Sequence, residues 1–154
     1  MGRNGSTSLA LTLLAILLGC GGGSSGPASP TLSPQVGGEY DVAVALVQNA
    51  CGSGVQVQPQ PTSVTHSAGA TTFTLVHGAL RVTGSVARDG AFTTQPVTVQ
   101  DSLGPAQLAM SGRFNTTGLE ATVTVDVQRA APSPACRYVV AWSGTKRGSP
   151  NVLG

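Results

Sequence analysis

From Leu119 to Gln128 the chain reads Leu-Glu-Ala-Thr-Val-Thr-Val-Asp-Val-Gln, apolar at every odd position and polar at every even one. A strand sends successive side chains to opposite faces, so this period of two gives one dry face and one wet face. Wound as a helix, the same ten residues would scatter their apolar groups around the whole circumference. The pattern recurs in Tyr40-Asp-Val42-Ala-Val44-Ala-Leu46, Leu80-Arg-Val82-Thr-Gly84-Ser-Val86, Leu108-Ala-Met110-Ser-Gly112-Arg-Phe114 and Tyr138-Val-Val140-Ala-Trp142. Thr72 to Val76 adds another strand, and Val97-Thr-Val99 continues one that begins near Phe92. Val55-Gln-Val57 is a shorter candidate for the second strand. The spacing predicts about eight strands and no helix between residues 39 and 147.

Turn chemistry separates these segments. Asp89-Gly90 is a tight-hairpin pair, and Asn115-Thr-Thr-Gly118 is slightly longer. Ser67-Ala-Gly69 and Ser102-Leu-Gly104-Pro105 punctuate the rest. Phe92 and Val97 fall on opposite phases, which calls for a one-residue bulge near Pro96. Leu80, Val82, Gly84 and Val86 recur in order as Leu108, Met110, Gly112 and Phe114, as if one hairpin unit were reused. Glycine in the middle of a strand marks a bend or a close approach of another group.

Strands with a single apolar face must bury it, either sheet on sheet or by closing into a barrel. Short sequential hairpins favour an all-β, single antiparallel up-and-down barrel; a β-sandwich is the alternative. Asp41, Arg81, Arg113, Glu120, Asp126 and Arg137 all lie on the outward phase, and Arg129 alone lies on the inward phase, at a strand end. The inward phase carries Tyr40, Phe73, Phe92, Met110, Phe114, Tyr138 and Trp142, which either fill the core or line a ligand cavity.

The flanks have a different character. Arg3 precedes the apolar run Leu9–Leu18, which is half the ~20 residues a membrane-spanning helix needs but suits the core of a signal peptide. Leu17-Leu18-Gly19-Cys20 resembles the lipobox of bacterial lipoproteins. That resemblance implies a signal peptide over residues 1–19, with membrane lipid attached through the thiol of Cys20. Two or more acyl chains give a stable anchor. Gly21 at the following position implies a cell-envelope location, with the outer membrane favoured. Residues 20–38, largely Gly, Ser and Pro, are expected to be a disordered tether, and 148–154 a C-terminal tail.

With Cys20 assigned to lipid by the resemblance, two of the three cysteines remain. An exported compartment oxidises such a pair. Cys51 follows the first strand and Cys136 opens the last, which are neighbours in a closed barrel, so a bond between them would staple the closure. Two free thiols are the alternative. Neither cysteine stands in a metal-ligand spacing.

Chemistry is otherwise sparse. Charged residues are 9% of the chain and the formal net charge is +2, which does not fit a basic nucleic-acid binder. The inward phase holds no paired carboxylates for general acid–base work. His66 and His77 lack a nucleophile and an orienting acid in sequence reach, and are expected at the rim or in solvent. No dinucleotide, P-loop or zinc pattern appears, so no cofactor or metal is expected. The strand count, the hairpins and the leader together resemble small bacterial lipoproteins with lipocalin-like barrels, although no Gly-x-Trp stands near the first strand. That resemblance implies a non-catalytic module whose partner is a small apolar ligand or an envelope protein. The alternative is a structural surface domain with a filled core, acting through its exterior loops.

Overall fold

The computed structural model of the protein describes residues 33–154. Its strands are β1 (Gly38–Asn49), β2 (Thr62–His66), β3 (Thr72–His77), β4 (Leu80–Val86), β5 (Ala91–Thr94), β6 (Val97–Asp101), β7 (Gly104–Asn115), β8 (Gly118–Val127) and β9 (Cys136–Lys146). Every pairing is antiparallel, and the order β5-β4-β3-β2-β1-β9-β8-β7-β6 closes through β5–β7. β5 and β6 are two halves of one bent strand. Thr93 pairs with Ser111 but Val97 pairs with Leu108, a slip of one residue at Gln95–Pro96. The bend occurs where the opposite phases of Phe92 and Val97 require it, and Pro96 sits where no amide donor is needed. The result is a closed eight-stranded up-and-down barrel with the β6 half-strand as an extension.

The second strand lies elsewhere than the alternation places it. Val55 and Val57 are extended but unpaired, whereas β2 runs through Thr62-Ser-Val-Thr-His66. β2 has only one large apolar residue, Val64, and its other inward position is Thr62, buried with its hydroxyl hydrogen-bonded. A strand with a buried threonine in place of an aliphatic residue leaves almost no period-two signal. Pro59 and Pro61 lie between this stretch and β2 and cannot donate to a ladder, and β2 begins only after them.

The two ends of the barrel differ. The lower end gathers the β2–β3, β4–β5 and β7–β8 turns together with both flanking segments. Those flanks are packed: Val36 is fully buried and Asn151 is buried beneath the end of the barrel. Gln35 and Val152 exchange backbone hydrogen bonds of 2.8 and 3.1 Å. Asn151 Nδ2 donates to the Asn115 and Gly118 carbonyls at 2.7 and 3.0 Å. The Tyr40 hydroxyl lies 2.6 Å from the Val36 carbonyl and 2.9 Å from Asn151 Oδ1. The compact unit therefore reaches beyond 39–147 on both sides. Val36 and Asn151 are single residues in polar, glycine- or proline-rich surroundings, so they carry no periodic signature.

Above this plug the lower half is filled with rings. Phe73 meets Phe92 and Phe114 edge-on at centroid separations of 5.4 and 5.5 Å, and Tyr40 lies 6.1 Å from Phe114. Glycines make the room. Phe73 is registered opposite Gly84, and Phe92 opposite Gly112. A Cβ on Gly84 would stand 2.7 Å from the Phe73 ring and 2.5 Å from the Thr93 carbonyl; one on Gly112 would stand 2.1 Å from the Glu120 carbonyl. Burial of each such ring contributes roughly 1.5–3 kcal/mol.

The upper half is built from fewer strands. β2, β3 and β4 stop at Thr62, His77 and Leu80, while β1 and β6–β9 continue upward. β1 pairs with β2 only through Gly38–Tyr40. β4 pairs with β5 only as far as Gly84, and the backbone contact ends at Thr83–Gln95. Two seams thus open toward the top, one between β1 and β2 and one between β4 and β6.

Candidate functional site

Residues 50–61 leave β1 and cross the upper mouth as a strap before entering β2. The Cys51–Cys136 disulfide, with Cα atoms 5.1 Å apart, fixes the start of this strap to the first residue of β9. The bond expected from the sequence is present and joins neighbouring strands. The Arg129 guanidinium donates to the Cys51 carbonyl. Asn49 Oδ1 accepts from the Cys51 amide at 2.8 Å. At its far side the strap touches the β6–β7 turn, where a Cβ on Gly54 would meet the Leu103 side chain at 2.7 Å. Val55 and Val57 point down and pack on the core, and the intervening polar residues face out. Their alternation is that of an extended chain lying on an apolar surface.

Beside the strap is an apolar pocket of about 180 Å³ that opens to solvent. Its floor is the long part of the sheet: Val44 of β1, Leu108 of β7, Val123 and Val125 of β8, and Val140 and Trp142 of β9. Gln56, Val57 and Gln58 of the strap border it on one side, and His77 on another. A space of this volume accommodates a ligand on the order of benzene.

His77 is the polar group of the site. The sequence places it at the rim or in solvent; the structure buries it on the inward phase it shares with Phe73 and Leu75. The strap covers the strand end that would otherwise be exposed. Its ring lies against Trp142, with centroids 4.2 Å apart at 39°. Nδ1 is 2.6 Å from Thr62 Oγ1, and that hydroxyl is 3.0 Å from the Gln60 carbonyl. If the hydroxyl donates to this carbonyl, Nδ1 carries the imidazole proton and donates to Thr62. Burial holds the His77 pKa below the ordinary imidazole value of 6.5, outweighing a hydrogen bond with the Gln58 backbone that favours the charged ring. The ring is therefore neutral near pH 7. His66, by contrast, sits in the β2–β3 turn region with Nε2 3.0 Å from the Ala70 carbonyl.

All seven inward residues read from the sequence are buried, but they do different things. Tyr40, Phe73, Phe92 and Phe114 fill the lower half. Met110 is buried opposite Val123. Tyr138 closes the upper end, with its hydroxyl 2.7 Å from Asp101 Oδ2. Burial and that carboxylate raise the Tyr138 pKa far above the ordinary phenol value. Trp142 alone of the seven lines the cavity. Sequence phase finds inward residues but cannot separate those that touch each other from those that border empty space. His77 was open to discovery, since it shares the phase of two core residues.

The charges lie outside. Asp41, Asp126 and Asp89 pair with Arg147, Arg137 and Arg113 on the exterior. Exposed pairs of this kind contribute little to stability. A groove of about 560 Å³ between β1 and Pro59–Thr62 is bordered by Glu39, Asp41 and Arg147; two of these charges already satisfy each other. No group of three or more His, Cys, Asp or Glu side chains suited to a metal occurs among the described residues. Cys20, its expected lipid and the 1–19 leader lie outside the described residues.

Comparison with protein-family models, with curated proteins and with solved structures finds no match to this chain. Fold and site together define a closed eight-stranded antiparallel barrel, filled with rings below and bearing an open apolar pocket beside the disulfide-pinned strap at its upper mouth.

Proposed function

We propose that this protein is an envelope lipoprotein, anchored through lipid on Cys20, whose lipocalin-like barrel is a non-catalytic binding module for a small apolar ligand. The observation that carries the binding reading is the cavity between the strap and the β7–β9 floor. It is lined chiefly by valine, leucine and tryptophan, with one imidazole able to orient a polar atom of the ligand. Small-ligand sites combine an apolar lining with few polar groups in this way. The size favours a ligand of few carbon atoms, or the end of a longer one.

Native mass spectrometry of the purified protein tests the binding reading. A retained small molecule, or uptake of added benzene in a one-to-one ratio, is the expected outcome. A protein that stays empty in excess benzene removes the reading. For the anchor, metabolic labelling with radioactive palmitate is expected to mark the wild-type chain and not Cys20→Ser.

The alternative, a structural surface domain, draws on the filled lower half and on Leu46 and Val47, which are exposed near the top of β1. Under that reading Val47→Asp would abolish envelope association of the barrel with its partner and leave benzene uptake unchanged.

A further inference from the structure

The upper wall of the barrel is interrupted between β4 and β6. Lower down, β4 and β5 are joined by the pairs Gly84–Thr94, Ser85–Thr93 and Val86–Phe92, and the Gln95 amide donates to the Thr83 carbonyl at 2.9 Å. Above that point β4 pairs only with β3, and β6 only with β7. The two edges part there and leave a slot of about 570 Å³ bordered by Leu80, Arg81, Val97, Val99 and Leu108.

Both edges carry free main-chain groups. Successive residues of a strand direct their amide and carbonyl to opposite sides. The Thr83 carbonyl serves the β5 side, so Arg81, two residues earlier, directs its amide and carbonyl into the slot. The Pro105 carbonyl serves β8, so Gly104, Ala106 and Leu108 are the β7 residues that bond their partners Asp101, Val99 and Val97 on β6. The intervening Thr98 and Gln100 direct their main-chain groups into the slot. None of these groups at Arg81, Thr98 and Gln100 has a backbone partner among the described residues.

The side chains follow the same division. Leu80, Val97 and Val99 lie on the inward phase yet stay only half-buried. Arg81, Thr98 and Gln100 are exposed on the outward phase. Arg81 forms no ion pair among the described residues, whereas Arg113, Arg137 and Arg147 each hold an aspartate. The protein meets a similar demand elsewhere with its own chain: the strap lays Val55 and Val57 on the core and leaves Gln56 and Gln58 exposed. No segment does this at the β4–β6 slot among the described residues.

We infer that the slot is a strand-addition site for an extended segment of another protein, apolar at alternate positions and acidic between them. The main chain of that segment hydrogen-bonds Arg81 of β4 and Thr98 and Gln100 of β6. Its apolar side chains cover Leu80, Val97 and Val99, and one of its carboxylates takes the free donors of the Arg81 guanidinium. β6 offers five residues, about 17 Å of edge, which sets the length required. This site lies on the wall, and it stands whether or not the pocket beside the strap holds a small ligand.

The probe is a dye-labelled, end-blocked peptide of sequence Gly-Val-Glu-Val-Glu-Val-Gly, titrated into full-length protein and followed by fluorescence anisotropy. It is expected to bind saturably, and roughly tenfold more tightly than the same peptide with lysine in place of glutamate or with its valine and glutamate amides N-methylated. Hydrogen exchange at the amides of Arg81, Thr98 and Gln100 is expected to slow about tenfold on binding. Arg81→Gln is expected to weaken the glutamate peptide by roughly threefold to fivefold, and Arg88→Gln, in the β4–β5 turn, to leave it unchanged. Equal binding of the N-methylated or lysine peptide overturns the inference, and so does unchanged exchange at the three amides. A protein dimer that the peptide disperses assigns the slot to a second copy and overturns it equally. Absence of peptide binding with benzene uptake retained removes this inference and leaves the small-ligand reading standing.

Discussion

The lower and upper halves of this barrel share the same strands yet solve the packing problem oppositely. Below, Phe73, Phe92, Phe114 and Tyr40 crowd a narrow interior, and strand glycines opposite two of the rings make the crowding possible. Above, the inward positions of the same long strands carry Val44, Val123, Val125 and Val140, and the space they leave is a pocket open to solvent. Interiors are ordinarily close-packed, so aliphatic side chains bordering an open pocket make fewer contacts than the rings below. Stability is concentrated where the rings are, and binding capacity where they are absent.

The contrast is broken most forcefully at Phe114, which is fully buried at the centre of the ring cluster. Phe114→Ala is expected to cost about 3–5 kcal/mol in urea denaturation, whereas Val125→Ala beside the cavity costs roughly 1–2 kcal/mol. Equal losses would mean that the upper half is as tightly packed as the lower. Next in size is the disulfide, which joins residues 85 apart in sequence. Changing Cys51 and Cys136 together to serine is expected to lower stability by about 2–4 kcal/mol. The same change frees the strap, so benzene retention should fall as well; retention unchanged would show that the strap holds its place without the bond.

The third test uses pH. His77 has a folded pKa below its ordinary value of 6.5, so the unfolded chain binds more protons than the folded one as pH falls below that value. The stabilising contribution of a neutral, buried His77 is present above about pH 6.5 and is lost as pH drops toward the folded pKa. The urea midpoint is expected to decline between pH 7.5 and 5.5 in wild type and to decline less in His77→Gln. Identical slopes would place the sensitivity elsewhere. The smallest expected effect has the opposite sign: Val140→Ile adds one methylene into the cavity and is expected to stabilise by about 0.5–1 kcal/mol while reducing benzene binding.

Much of the fold was readable because alternation is a direct record of a strand lying between water and a dry core. The runs 119–128 and 108–114 became β8 and the greater part of β7, and the phase conflict at Phe92 and Val97 became the bend at Pro96. The link between Cys51 and Cys136 followed from counting thiols and closing the barrel. What escaped did so for physical reasons. β2 buries a threonine whose hydroxyl is satisfied locally, so its inward face does not look apolar. Val55–Val57 alternates without pairing, because it lies extended against the apolar core and not in a ladder. The pocket is space between distant segments, and no position in a sequence records the space beside it. His77 was misplaced because the cover over its strand end comes from a distant segment.

The plug at the lower end has a consequence for how this chain can be rearranged. Gln35 and Val152 are already joined by two backbone hydrogen bonds, so the two flanks of the barrel run side by side. A short peptide bridging them would make the backbone effectively circular. New ends opened between residues 129 and 135, in the exposed loop before β9, would then lie at the opposite pole. Such a permuted protein would keep every strand neighbour while moving both chain ends from the lower end of the barrel to the upper one, beside the strap.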